Sequence, residues 1–151
     1  MSILTKWQGK LTKHFTLEEY TVGLKNGTAY MTQESYLQAQ MLEEFREWLG
    51  RPMIVTSWFR TKAKNEEVGG IATSNHLKGT ATDWHTDISI TEAKFIKYAK
   101  KWKKICQNHG VVGEAGLYNW GIHFGSSITY SKTFYNWDSR SGTQKNMAFK
   151  I

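Results

Sequence analysis

Cysteine and proline each occur once in 151 residues. A lone Cys106 allows no internal disulfide and excludes any zinc site built from cysteines. It is expected to be a buried apolar residue on a helix. The single proline, Pro52, follows Gly50-Arg51 at the end of a helical pattern, where the chain passes into a strand. Long apolar runs are also missing. No stretch approaches the length of a membrane-spanning helix, so no membrane insertion is expected. The opening MSILTKWQGK lacks the apolar core of a signal peptide. The chain is therefore read as cytoplasmic on synthesis.

Acids are fewer than bases, 13 against 20, which leaves a formal charge of +7. That excess suits a polyanionic neighbour or simple solubility. The lysines are scattered and no nucleic-acid signature accompanies them, so a nucleic-acid partner is not expected; an anionic cell wall is the other polyanion. Forty per cent hydrophobic residues and seven tryptophans indicate a folded globule. With no linker or composition shift, residues 1–151 read as one monomeric domain.

Helices are legible at three places. Thr16 with Glu19 forms a capping box, with Phe15 placed to staple onto Tyr20 and His14 just outside as a surface or packing residue. From Gln33 to Leu49, Leu37, Met41, Leu42, Phe45, Trp48 and Leu49 recur at helical spacing. A third helix is expected from about Thr91 to about His109, opened by a box of Ser89 and Glu92, with Phe95, Ile96, Ala99, Trp102 and Cys106 inward and six lysines around the rest. His109 reads as its cap. Beyond it the pattern turns to short strands, Val111-Val112, Leu117-Tyr118, Gly121 to Phe124 and Ile128 to Tyr130. The tail from Ser131 to Ile151 carries no clear motif and is left as an edge strand or a mobile segment.

The stretch from Ser57 to Trp84 concentrates the chemistry. Met53 to Trp58 is an apolar run suited to a buried strand, and Arg60 emerges at its end. Gly69-Gly70 permits a tight reversal through two positive φ values. His76 and Asp83 then follow seven residues apart with Gly79 and Ala81 between them, which suits two metal ligands on neighbouring extended segments. A His–Asp pair at that spacing is by itself more often an accident than a site. His123, between Ile122 and Phe124, reads by itself as a core histidine.

The wider pattern is Ser57-x-x-Arg60-x-x-x-x-Asn65-x-x-Val68-Gly69-Gly70-x-x-x-Ser74-x-His76-x-x-Gly79-x-Ala81-x-Asp83. It resembles the signature of the M15 zinc peptidases, the D-Ala-D-Ala carboxypeptidase and peptidoglycan endopeptidase family, over roughly Leu11 to Ser127. The resemblance implies a small α+β domain, an antiparallel sheet with helices packed on one side and a zinc site on the sheet. It implies His76, Asp83 and His123 as the zinc ligands, an open fourth position of the catalytic kind, and Arg60 and Ser74 as substrate-binding residues, with Arg60 also gripping the developing oxyanion. The implied reaction is hydrolysis of D-amino-acid-containing peptide bonds in peptidoglycan stems, by a phage endolysin or wall peptidase that acts after release or with the virion.

Two departures from the family pattern bear on activity. The acid often found three residues before the last histidine is Trp120 here, and the Asp found two residues after it in some relatives is Gly125. Glu114, from the preceding strand or loop, is the preferred substitute general base, ahead of Asp87 or of no base at all. His85, two residues past Asp83, shares its face by alternation and stays an alternative ligand. A chain that kept its zinc without a base would instead be a binding or structural module of a phage particle.

Overall fold

A computed structural model of the chain describes the backbone of residues 2–4 and residues 9–24, 29–128 and 133–151 in full. Strand β1 (Ser2–Leu4) pairs with β2 (Ala29–Met31) as a small antiparallel ribbon. Between them α1 (Leu17–Tyr20) opens with the expected reciprocal box of Thr16 and Glu19. Phe15 and Tyr20 both set their rings against Trp58, at 5.9 and 5.3 Å. Helix α2 (Gln33–Leu49) has a second box, Thr32 with Ser35, and stops at Gly50 in the left-handed conformation. Trp48 departs from its expected core place: it lies at the margin of the apolar stripe, with the ammonium groups of Lys97 and Lys101 each 5.6 Å from its ring.

The remaining elements build the main sheet. Strand β3 (Ile54–Ser57) leads to α3 (Lys62–Glu67), a 3-10 turn over Asn75–Lys78, and β4 (Ala81–His85). Helix α4 (Glu92–Asn108) follows, then β5 (Val112–Leu117), β6 (Ile122–Ser127), β7 (Tyr135–Asp138) and β8 (Lys145–Asn146). The order across the sheet is β3-β4-β6-β5-β7-β8.

The sheet is mixed, which corrects the antiparallel expectation: β5 and β7 run parallel, and every other neighbouring pair is antiparallel. The cause lies in the tail, whose strand β7 returns on the outer side of β5, with Tyr135 beside Glu114 and Asp138 beside Leu117. Residues 135–138 thus form an inner strand of the sheet rather than a mobile segment. The expected strand at Ile128 to Tyr130 lies outside the described residues for Thr129 and Tyr130; Ile128 itself is exposed and follows the end of β6. Val111-Val112 and Leu117-Tyr118 are the two ends of one strand, β5, rather than two strands.

The third helix has the expected bounds but a different N-terminal cap. Thr91, not Ser89, is the N-cap, its side chain accepting from the Lys94 amide, and no reciprocal box forms because position 94 is a lysine. His109 is the C-cap, as read from the sequence, and its Nε2 lies 2.5 Å from Glu44 of α2. Helices α2 and α4 cover one face of the sheet. Phe124 of β6 stacks on Trp102 of α4 at 4.7 Å and meets Phe45 of α2 edge-on at 4.9 Å. Cys106 is fully buried in the same core, where burial pushes its thiol pKa up.

Side chains alternate between faces along a strand. With Trp84, Ile122 and Phe124 in the helical core, Asp83 and His123 must point to the opposite face. Cross-strand register places Asp83 opposite His123, His123 opposite Gly116, Glu114 opposite Gly125, and Gly116 and Glu114 opposite Trp137 and Tyr135. One face of four strands is thereby committed to the site. Among the described residues no helix is long and apolar enough to cross a membrane.

Candidate metal centre

The loop between β3 and β4 brings the remaining ligand over that face. Of the two glycines expected to turn it, only Gly69 has positive φ. Gly70 is needed for space instead, because a β-carbon there would collide with the Asn65 side chain. Ser74 then caps the 3-10 turn, accepting from the His76 amide at 3.3 Å. His76 thus sits on a 3-10 turn and not on the extended segment expected for it. Its Nδ1 donates to the Trp58 carbonyl at 2.7 Å, the only role a carbonyl partner permits. Nε2 is left facing Asp83 Oδ2 at 3.2 Å.

His123 meets the other carboxylate oxygen, with Nδ1 2.9 Å from Asp83 Oδ1. Its Nε2 is buried without a hydrogen-bond partner, and Glu114 Oε1 at 3.5 Å is an electrostatic neighbour rather than an acceptor in good geometry. One ligand atom from each of His76, Asp83 and His123 lies within 4.8 Å of the others, and all three residues are buried.

Such a cluster carries more acceptors than protons. With Nδ1–H of His76 engaged by Trp58, the Nε2 lone pair of the neutral ring points at a carboxylate. A cation between them, proton or metal, resolves the repulsion. Without a metal the demand falls on His123. Burial opposes its charge, but the hydrogen bond to Asp83 and the nearby Glu114 carboxylate outweigh it and push its pKa up to about 10. Burial likewise raises the pKa of Asp83, yet His123 and His76 hold it below the ordinary carboxylate range. Two imidazoles and a carboxylate on converging elements suit zinc.

Two further groups touch the cluster. Arg60 donates from Nε to Ser57 Oγ at 3.1 Å, from one terminal nitrogen to Asn65 Oδ1 at 3.4 Å, and from the other to Asp83 Oδ2 at 3.4 Å. Glu114 projects from β5, a strand and not a loop folded back, and accepts from Asn75 Nδ2 at 2.5 Å. Burial pushes its pKa up, but His123 and Asn75 more than offset this, so the carboxyl is held ionised. A cleft of about 430 Å³ opens over the cluster, and Asp83 and Glu114 are the carboxylates that line it.

The sequence profile of the Peptidase M15 family matches residues 13–124, most of the chain. The chain belongs to this family. No curated protein matches it. As an M15 domain it is a metallopeptidase of a generally zinc-dependent family, and its His76, Asp83 and His123 have the donor set that such an ion takes.

The M15 cleft brings together Arg60, Ser74, His76, Asp83, Glu114 and His123, the residues singled out in the sequence. It leaves two others outside. Asp87 is exposed and paired with Arg51 at 3.1 Å, and His85 turns its Nδ1 toward the Thr86 carbonyl at 3.4 Å. Neither lines the cleft. Asn75, Tyr118, Tyr135 and Trp137 are among the lining residues not anticipated. Asn75 lay inside the recognised motif between Ser74 and His76 and was legible there. Trp137 packs on the His123 ring at 5.1 Å, and only the parallel return of the tail makes that contact.

Proposed function

We propose that the chain is a zinc peptidase that hydrolyses D-amino-acid-containing bonds in peptidoglycan stem peptides, as a phage endolysin or wall peptidase acting after release or with the virion. The observation that carries this reading is the surplus of acceptors at His76, Asp83 and His123, placed in a cleft beside an ionised carboxylate and a guanidinium. Zinc held by the three residues would supply Lewis acidity toward water and toward the scissile carbonyl.

The protein groups divide the remaining work. Glu114, ionised and oriented by Asn75, accepts the proton of the attacking water and returns it to the leaving nitrogen. Arg60 holds Asp83 in place with one donor, and as the guanidinium lining the cleft it stabilises the negative charge that grows on the carbonyl oxygen. Ser74, on the cleft wall, offers its hydroxyl to the peptide backbone. Trp137 shields His123 from water on the side away from Asp83. The enzyme of this proposal acts as a monomer.

Digestion of purified peptidoglycan, with the new termini identified by mass spectrometry, tests the proposal. New free amines and carboxylates within the stem, absent when a chelator is added, are expected. Trp120 in the place of the family's acid favours the competing reading of a wall-binding or structural module of the particle; unaltered peptidoglycan in the presence of zinc would select it.

A further inference from the structure

We infer that the Trp120 indole, backed by the stacked ring of Tyr118, forms a platform for a sugar ring of the glycan strand, so that the cleft takes stem peptides still attached to glycan. This rests on the peptidoglycan reading above and specifies the substrate further.

The turn between β5 and β6 is Tyr118-Asn119-Trp120-Gly121. It is closed by backbone bonds in both directions between Tyr118 and Gly121, from Tyr118 N at 2.9 Å and from Gly121 N at 3.4 Å. On this fixed turn the two rings stack with centroids 4.5 Å apart and planes 20° from parallel. Trp120 remains 46% exposed. A single exposed indole needs no explanation. This one continues a chain of contacts that ends at the metal cluster: Trp137 donates from Nε1 to the Tyr118 hydroxyl at 3.0 Å, and Trp137 packs on His123.

Tyr118, Trp120 and Trp137 all line the cleft together with Gln144, whose side-chain nitrogen donates to Asn146 Oδ1 at 2.8 Å. The Asn119 amide bonds the Arg140 carbonyl and fixes the turn to the C-terminal segment. The outcome is a flat apolar face, rigid on its support, in a cleft that Gln144 also lines. A pyranose matches it, having a C–H face to lie on the indole and hydroxyls at its rim for polar groups. Stem residues such as alanine or glutamate offer too little flat apolar surface to cover an indole. Since glycan joins the stem at its N-terminal residue, a platform this close to the metal ligands places the cut near that end.

The test compares two substrates, a disaccharide-linked stem peptide and the identical peptide without sugar, using the zinc-loaded wild type, Trp120→Ala and Trp120→Phe. The wild type is expected to prefer the sugar-bearing substrate in kcat/KM by roughly tenfold or more, the range that stacking on one aromatic ring supports. Trp120→Ala should abolish that preference while leaving the sugar-free peptide and the zinc content nearly unchanged, and Trp120→Phe should keep part of it. An equal loss on both substrates, or no loss on either, overturns the platform. If the wild type cleaves neither substrate, the peptidase reading fails separately. Calorimetric binding of the same two ligands then decides the platform on the same criterion, a sugar preference present in the wild type and absent in Trp120→Ala.

Discussion

The Glu114 carboxylate lies across Gly125 of the neighbouring strand, in space that any β-carbon at position 125 would occupy. Where some relatives place an acid on β6, this chain leaves that position bare and delivers a carboxylate to the same face from β5. Glu114→Gln keeps the shape and the Asn75 contact while removing the proton acceptor. Turnover on wall peptides should fall about a hundredfold or more with zinc unchanged. Gly125→Ala should lower kcat in the same direction by displacing the carboxylate, and full activity in both variants would remove Glu114 from the chemistry.

The metal assignment is tested by content. His76→Ala, Asp83→Ala and His123→Ala should each fail to retain one zinc per chain after dialysis, because each deletes one of three protein ligands. Elemental analysis that found stoichiometric zinc in all three variants would refute the assignment.

Arg60 is held by Ser57, Asn65 and Asp83 at once. Lysine cannot reproduce that planar fork. Arg60→Lys should therefore retain zinc but lose turnover by roughly tenfold or more, the size of one lost charge-assisted contact. Steady-state rates at matched zinc loading measure this, and an unchanged kcat/KM would show that charge alone suffices.

Asp138, at the end of β7, receives the Arg140 amide, Nε and a terminal nitrogen, and Arg140 reaches on to Glu92 of α4. The Arg140 side chain lowers the Asp138 pKa from 3.8 to about 2. Because the folded value is the depressed one, the stabilisation is present above the unfolded pKa and disappears as pH falls from near 4 toward 2. Arg140 is 37% exposed, so screening reduces the effect to about 1 kcal/mol. Asp138→Asn should lower stability by that amount at pH 7 in chemical denaturation, and the gap from wild type should narrow below pH 4.

Much of the site could be read without coordinates because its parts are local. Helix α1 announced itself through Thr16 and Glu19, α2 through its apolar stripe, and the ligands through a dense motif followed by a histidine flanked by Ile122 and Phe124. The rest depends on register and on long-range pairing. Period-two alternation fixes which residues share the face of His123 only once the partner strands are known, and nothing near Glu114 specifies that Gly125 lies opposite. The parallel pairing of β7 with β5 was illegible for a related reason. A four-residue strand in a polar tail has a weak local pattern, and its position comes from Trp137 lying flat over Gly116, where a β-carbon would collide with the indole. Thr91 and Ser89 are both capable caps two residues apart, and the Glu92 that seemed to favour Ser89 became the first residue of the helix instead.

That late strand has a consequence for the order in which the protein acquires its chemistry. All three ligand-bearing elements emerge from the ribosome before Trp137 does. A nascent chain can therefore gather His76, Asp83 and His123 while the wall beside His123 is still missing. Competence would then arrive in two stages, ion capture first and a sheltered cleft only when β7 docks along β5. No shortened product lacking this strand carries the finished cleft, because the indole that packs on His123 comes only with it.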